Sequence, residues 1–169
     1  MIINNSIVVI GAPGSGKSSI AKSLSKVLGL QFYDMDAEIE KKYGIATEWL
    51  LEIEGIEGLT SKALLLIQDI LQRKNIILAT NSKAMVSAAI RAEIGATSIV
   101  VYLYQRSSQQ PPETTDAVHV LEQSDQHCDD QFHNIYLKSA DIAVDTYKKN
   151  INMLTQEIMN TILSFKEQV

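Results

Sequence analysis

The sequence predicts one α/β domain, a five-stranded parallel sheet held between two layers of helices. Three observations carry that expectation. Short runs rich in β-branched residues at 7–10, 31–33, 75–80, 98–104 and 141–144 alternate with segments whose apolar residues recur at helical spacing. The runs lack strict polar alternation, as strands do when helices cover both faces of a sheet. Directly after the first run, Gly11-Ala12-Pro13-Gly14-Ser15-Gly16-Lys17-Ser18 fits GxxxxGK[ST], a pattern that requires a strand before it and a helix after it.

Both flanks of that motif comply. The first run is Ile7-Val8-Val9-Ile10, and the helix predicted over 18–28 places Ile20, Ala21, Leu24, Val27 and Leu28 on one face, with Gly29 as its stop. Strand 31–33 leads into helices over about 37–43 and 47–54, which Gly44 and Gly55 are expected to end. Trp49, in the second of these, is expected to pack toward the sheet. Helix 61–73 precedes strand 75–80, and helix 82–94, closed by Gly95, precedes strand 98–104. The last helix, 151–165, carries Ile151, Leu154, Ile158, Ile162 and Phe165 along one stripe. Between Tyr104 and Ile142 the pattern dissolves into Ser, Gln, Pro, Glu, Asp and His, which predicts a lid-like excursion over about 105–138 rather than a packed element.

Composition narrows the function classes. With 169 residues and 46% hydrophobic content, the chain has enough material for one good core, and residues 1–169 read as a single domain. A net charge of −5 with no large Lys/Arg cluster argues against nucleic acid and membrane surfaces as partners. Cys128 is the single cysteine, so no internal disulfide can form. The N-terminus lacks signal-peptide features, and no apolar run approaches the roughly 20 residues of a membrane span. A cytoplasmic monomer is expected. His119, His127, Cys128 and His133 match no usual zinc-ligand spacing.

The glycine-rich motif points to a nucleotide's phosphates. Gly11, Pro13, Gly14, Ser15, Gly16, Lys17, Ser18 and Ser19 form the expected cradle: backbone N–H groups ring an anion, Lys17 reaches the β/γ-phosphates, and the Ser18 hydroxyl ligates Mg²⁺. Asp34 and Asp36 stand at i and i+2 just past a strand, so they point the same way, toward the carboxyl edge where sheet ligands bind. Ser18 with Asp34 supplies the hard oxygens a Mg²⁺ site needs. The alternative for the pair is an aspartate turn capping the next helix.

Beyond the loop, Phe32-Tyr33-Asp34-Met35-Asp36-Ala37-Glu38-Ile39-Glu40, Trp49-Leu50-Leu51-Glu52-Ile53-Glu54-Gly55, Asn75-Ile76-Ile77-Leu78-Ala79-Thr80 and Val144-Asp145-Thr146 resemble the shikimate kinase family. The likeness runs from Ile7 to about Lys83 and resumes weakly near Tyr136. It implies a P-loop, nucleoside-monophosphate-kinase-like three-layer α/β/α fold, with ATP and Mg²⁺ as cofactors and phosphoryl transfer from ATP to shikimate, giving 3-phosphoshikimate. It also implies that Asp34 helps hold Mg²⁺ and that Asp36 contacts the shikimate hydroxyls, which makes Lys17 and Asp36 the catalytic pair. The helices over about 37–60 become the acceptor side. Tyr147-Lys148-Lys149-Asn150 resembles the family's adenine-contacting loop, so Lys149 joins the nucleotide-binding set.

The acceptor side departs from the family pattern. In G-E-x-x-F-R-x-x-E an arginine clamps the shikimate carboxylate; here the stretch is Gly55-Ile56-Glu57-Gly58-Leu59-Thr60-Ser61-Lys62-Ala63, and Thr60 stands at the arginine. The three glycines after the third strand become Asn81-Ser82-Lys83. Lys83 reads as a solvated lysine, with a reach to Asp36 or a γ-phosphate as the alternative. A second clamp in R-x-P-x-Y-x-x-x-A is replaced by Phe132, with Asn134 at the proline, in the register of Tyr136 and Ala140. Charge-assisted contacts are worth roughly 1.5–3 kcal/mol each, so losing two weakens carboxylate binding about 10²–10⁴-fold. The segment 107–137 carries Glu113, Asp116, Glu122, Asp125, Asp129 and Asp130 with no Lys or Arg, where the family's lid brings an arginine to the phosphate; Arg106 lies just outside.

Three functions follow from this asymmetry. The first is a Mg-ATP-binding member with weak or no shikimate kinase activity. The second is an active kinase for a hydroxyl acceptor lacking a carboxylate, with Thr60, Asn81 and Ser82 as neutral partners. The third is a nucleotide-stabilised protein whose acidic segment binds a basic partner.

Overall fold

Ile7, Val8, Val9 and Ile10 are all fully buried, and they form the middle of β1 (Ser6–Gly11) at the centre of the sheet. The structure, a computed structural model, describes residues 6–105 and 130–167. After β1 come α1 (Lys17–Leu28), β2 (Gln31–Asp34), α2 (Met35–Tyr43), α3 (Thr47–Leu71), β3 (Ile76–Ala79), a 3₁₀ turn (Lys83–Val86), α4 (Ala88–Thr97), β4 (Ser98–Tyr104), α5 (Asp130–Ser139), β5 (Ile142–Asp145) and α6 (Ile151–Glu167). The five strands pair in parallel in the order β2-β3-β1-β4-β5, as the alternation predicts.

The pleat sorts side chains into two cores. Val8, Ile10, Ile76, Leu78, Val100 and Tyr102 face a cluster that includes Ile39 of α2, Leu59, Ile67 and Ile70 of α3, and Ile90 and Ile94 of α4. Ile7, Val9, Ile77, Ala79, Val101 and Leu103 face Ile20 and Leu24 of α1 and Leu154, Ile158 and Ile162 of α6. Three layers result. The chain leaves β1 for the far side of β3 and later returns to β4, so β1 marks the point where the winding reverses, and its carboxyl end opens the crevice where such sheets bind ligands.

Several boundaries differ from the sequence reading. Gly29 and Gly44 do close α1 and α2 in left-handed conformations. Gly55 instead lies inside α3 at φ 71° and ψ −172°, a kink across which helix resumes, so the segments expected at 47–54 and 61–73 form one element. Gly95 sits within α4 and ends nothing. The helix expected at 82–94 breaks at Ser87, whose extended backbone and side chain, accepting from the Ile90 N–H, start α4 afresh. Residues 130–138, expected in a loose excursion, belong to α5, where Tyr136 is buried against Tyr102. Trp49 is 62% exposed: its neighbour Leu50 takes the buried face, which turns Trp49 about 100° away toward solvent. Ile151, expected on the buried stripe, is exposed as well.

Candidate active site

The loop between β1 and α1 is shaped by a close approach. A Cβ on Gly11 would stand 2.7 Å from the Leu103 carbonyl oxygen and 2.7 Å from Ser15 Oγ, so only glycine lets β1 run beside β4 into the turn. Gly14 and Gly16 both take left-handed conformations, and Gly16 caps α1 with no side chain of its own. The N–H groups at the start of α1 are left for an anion. Ser15 Oγ is buried without a hydrogen-bond partner among the described residues. An orphaned donor inside an anion cradle is what a phosphate group would satisfy.

Lys17 is the buried cation of the site, 9% exposed. Its ammonium donates to the Gly11 carbonyl at 3.0 Å, the Ala12 carbonyl at 2.9 Å and Ser82 Oγ at 2.8 Å. Desolvation holds its pKa below the usual lysine value; Asp36 and then Asp34 pull the other way but do not cancel it. A lysine held in this way can take up polyphosphate charge without first shedding a full hydration shell.

Asp34 makes the helix cap that the sequence offered as one of its alternatives, and it also meets Ser18. Its Oδ1 accepts from the Asp36 and Ala37 N–H groups, capping α2, while its Oδ2 receives the Ser18 hydroxyl. Ser18 and Asp34 are thus brought together, and two hard oxygens beside the loop fit Mg²⁺. Asp36 is braced by neutral donors. Its Oδ1 receives Thr47 Oγ1 at 2.9 Å and Asn81 Nδ2 at 2.6 Å, and among the described residues its Oδ2 has no partner. Thr47 is a site residue that the sequence reading missed, because nothing local marks a helix-start threonine as the partner of a carboxylate on another helix.

Two clefts meet at the loop. One, of about 480 Å³, is lined by Pro13, Gly14, Gly16, Lys17, Ser18 and Ser19 from the loop side and by Asp36, Thr47, Glu48, Leu51, Thr80, Asn81, Ser82 and Lys83 from the far side. The other, of about 660 Å³, lies between Gly14, Ser15, Ser19 and the segment with Thr146, Lys149 and Asn150. Lys149 lies at this mouth, tied to Glu157 at 2.8 Å. Lys83 is exposed on the rim of the first cleft. Thr60 is outside both clefts, and its hydroxyl donates to the Ile56 and Glu57 carbonyls of its own helix. Phe132 is 37% exposed and lies against Tyr136, whose hydroxyl donates to the Ser82 carbonyl. His133 bonds Tyr102 at 2.7 Å. Arg106, His119, His127, Cys128 and the acidic residues from Glu113 to Asp129 lie outside the described residues. No helix among the described residues is long and apolar enough to cross a membrane.

A phosphate loop at the reversal point of a 2-3-1-4-5 parallel sheet, with two carboxylates across a cleft from its lysine, defines a P-loop small-molecule kinase. A family model described as shikimate kinase matches residues 13–164. A shikimate kinase of Pseudoalteromonas atlantica is 33% identical over 96% of this chain and 99% of its own length. One from Nitrosococcus oceani is 30% identical over 98% of this chain and 90% of its own. Among solved structures, shikimate kinase from Acinetobacter baumannii in complex with shikimate superposes with a TM-score of 0.77 at 28% identity, covering 96% of this chain and 94% of that one. The chain belongs to the shikimate kinase family, a family of ATP-dependent kinases.

Proposed function

We propose that the chain binds Mg-ATP at the β1–α1 loop and phosphorylates shikimate weakly or not at all. One observation carries the second half of that reading: no arginine lines the acceptor cleft among the described residues, and its two cations, Lys17 and Lys83, face two carboxylates, Asp36 and Glu48. Lys17 is committed to phosphates, so a substrate carboxylate would meet Lys83 alone. Thr60, at the position where the resemblance implies the first clamp, lines neither cleft, and its hydroxyl is taken by carbonyls of its own helix.

Bound Mg-ATP supplies the phosphoryl group and the metal's neutralising charge. The loop N–H groups and Lys17 would hold the β- and γ-phosphates, Ser18 and Asp34 would hold the metal, and Lys149 would lie at the base end. Asp36 Oδ2, the oxygen that Thr47 and Asn81 leave open, would orient an acceptor hydroxyl or take its proton. That brace favours a second reading, in which transfer survives toward a hydroxyl compound without a carboxylate. A monomeric chain in the cytoplasm belongs to either reading.

Calorimetry of Mg-ATP and of shikimate, each titrated separately into the purified protein, tests the proposal. Mg-ATP binding with no measurable shikimate heat is expected. Tight shikimate binding with brisk ADP release would overturn it, and ADP release with a neutral polyol alone would select the second reading.

A further inference from the structure

Lys17 has three N–H donors, and all three are used inside the protein. Two go to carbonyls of its own loop. The third crosses the cleft to Ser82, 65 residues away, at the shortest distance of the set, 2.8 Å. Ser82 is not a casual neighbour. Its hydroxyl donates in turn to the Gly11 carbonyl at 2.8 Å, and its own carbonyl receives the Tyr136 hydroxyl at 3.1 Å. The preceding residue is fixed as well: Asn81 Oδ1 accepts from the Lys83 and Ala84 N–H groups at 2.9 and 3.1 Å, while its amide donates to Asp36. The turn after β3 therefore holds the Ser82 oxygen rigidly on the ammonium.

A ligand that needs Lys17 has to break at least one of these bonds. A ligand that needs only the loop N–H groups breaks none. We propose that Ser82 is a specificity-determining residue of the nucleotide site, competing with β- and γ-phosphate oxygens for Lys17 and thereby narrowing the preference for polyphosphate over monophosphate nucleotides. The inference rests on the nucleotide-binding half of the proposed function. It is independent of whether shikimate is a substrate.

The test is calorimetry of Mg-ATP and of AMP on the full chain, as wild type, Ser82→Ala and Ser82→Gly. Both variants remove the hydroxyl, and only the first leaves a methyl group, so their agreement isolates the oxygen. Mg-ATP is expected to bind each variant about 3- to 10-fold more tightly, the worth of one exchanged hydrogen bond. AMP, which has no β- or γ-phosphate, is expected to stay within about 2-fold of wild type by the same reasoning. Mg-ATP affinity that is unchanged or weaker overturns the inference, and so does a parallel gain for AMP, which would signal a general change in the loop. If neither wild type nor variants bind any nucleotide, this inference and the proposed function fall together. Brisk shikimate turnover by the wild type, with the Ser82 effect intact, refutes the proposed function alone.

Discussion

Lys17 carries a buried charge whose desolvation works against the folded state. Burial holds its pKa below the usual 10.5. Below the folded-state value both folded and unfolded chains carry the charge, and the full desolvation cost weighs on the folded state. As pH climbs past that value toward 10.5, the folded chain releases the proton first, the unfolded chain binds more protons, and stability rises. Lys17→Met removes this dependence. Wild type should gain stability relative to the variant between neutral pH and pH 10, as measured by urea unfolding at both values. The variant should also lose Mg-ATP affinity by about 100-fold or more, since phosphate contacts to a charged donor are worth roughly 1.5–3 kcal/mol each. The loop residues and the Asp34/Asp36 pair were legible in the sequence because their chemistry is local. The contacts of Ser82 with Lys17, and of Asn81 and Thr47 with Asp36, were not, since they join side chains 65, 45 and 11 positions apart that only the fold brings together.

At the scale of elements, turn chemistry read correctly where a glycine ended a helix and failed where the chain used one to bend. Gly55 at φ 71° and ψ −172° occupies a region open to little but glycine, and it redirects α3 so that Thr47 and Glu48 border the cleft while Leu59, Ile67 and Ile70 stay in the core. Gly55→Ala should cost about 1–3 kcal/mol. At roughly 2–4 °C per kcal/mol for a chain of this size, a drop of several degrees in Tm checks it. Asp34 gives a second test at this scale, because its cap on α2 and its contact with Ser18 use different oxygens. Asn caps as well as Asp, so Asp34→Asn should leave Tm nearly unchanged while the Mg²⁺-dependent part of ATP affinity falls; Asp34→Ala should lose both, with a capping cost of about 0.5–2 kcal/mol. Equal melting points for the two variants would remove the capping role. The helix α5 escaped the sequence reading because its polar residues hide the short run in which Tyr136 finds the core.

The whole molecule was the most legible level. β-Branched runs buried on both faces, a loop motif at the end of the first, and helical spacing between them leave few arrangements other than a three-layer sheet, and the two clusters on either side of β1 are its direct expression. What the whole molecule adds is that the phosphate loop borders both clefts, one shared with residues 36–51 and 80–83 and the other with residues 146–154. Mg-ATP bound at about 100 times its Kd should stabilise the fold by about 2.7 kcal/mol, a rise in Tm of about 5–10 °C. Shikimate should give no such rise. Thr60→Arg, which replaces one missing clamp, should not restore its turnover, for three reasons that belong to the assembled cleft. Thr60 lines neither cleft, Phe132 rather than an arginine stands where the family resemblance implies the second clamp, and Asp36 and Glu48 still repel a carboxylate that must approach beside the phosphates. ADP release measured with and without shikimate on this variant decides the matter, and recovery by that one change would place any shortfall of the proposed kind at a single side chain rather than in the cleft.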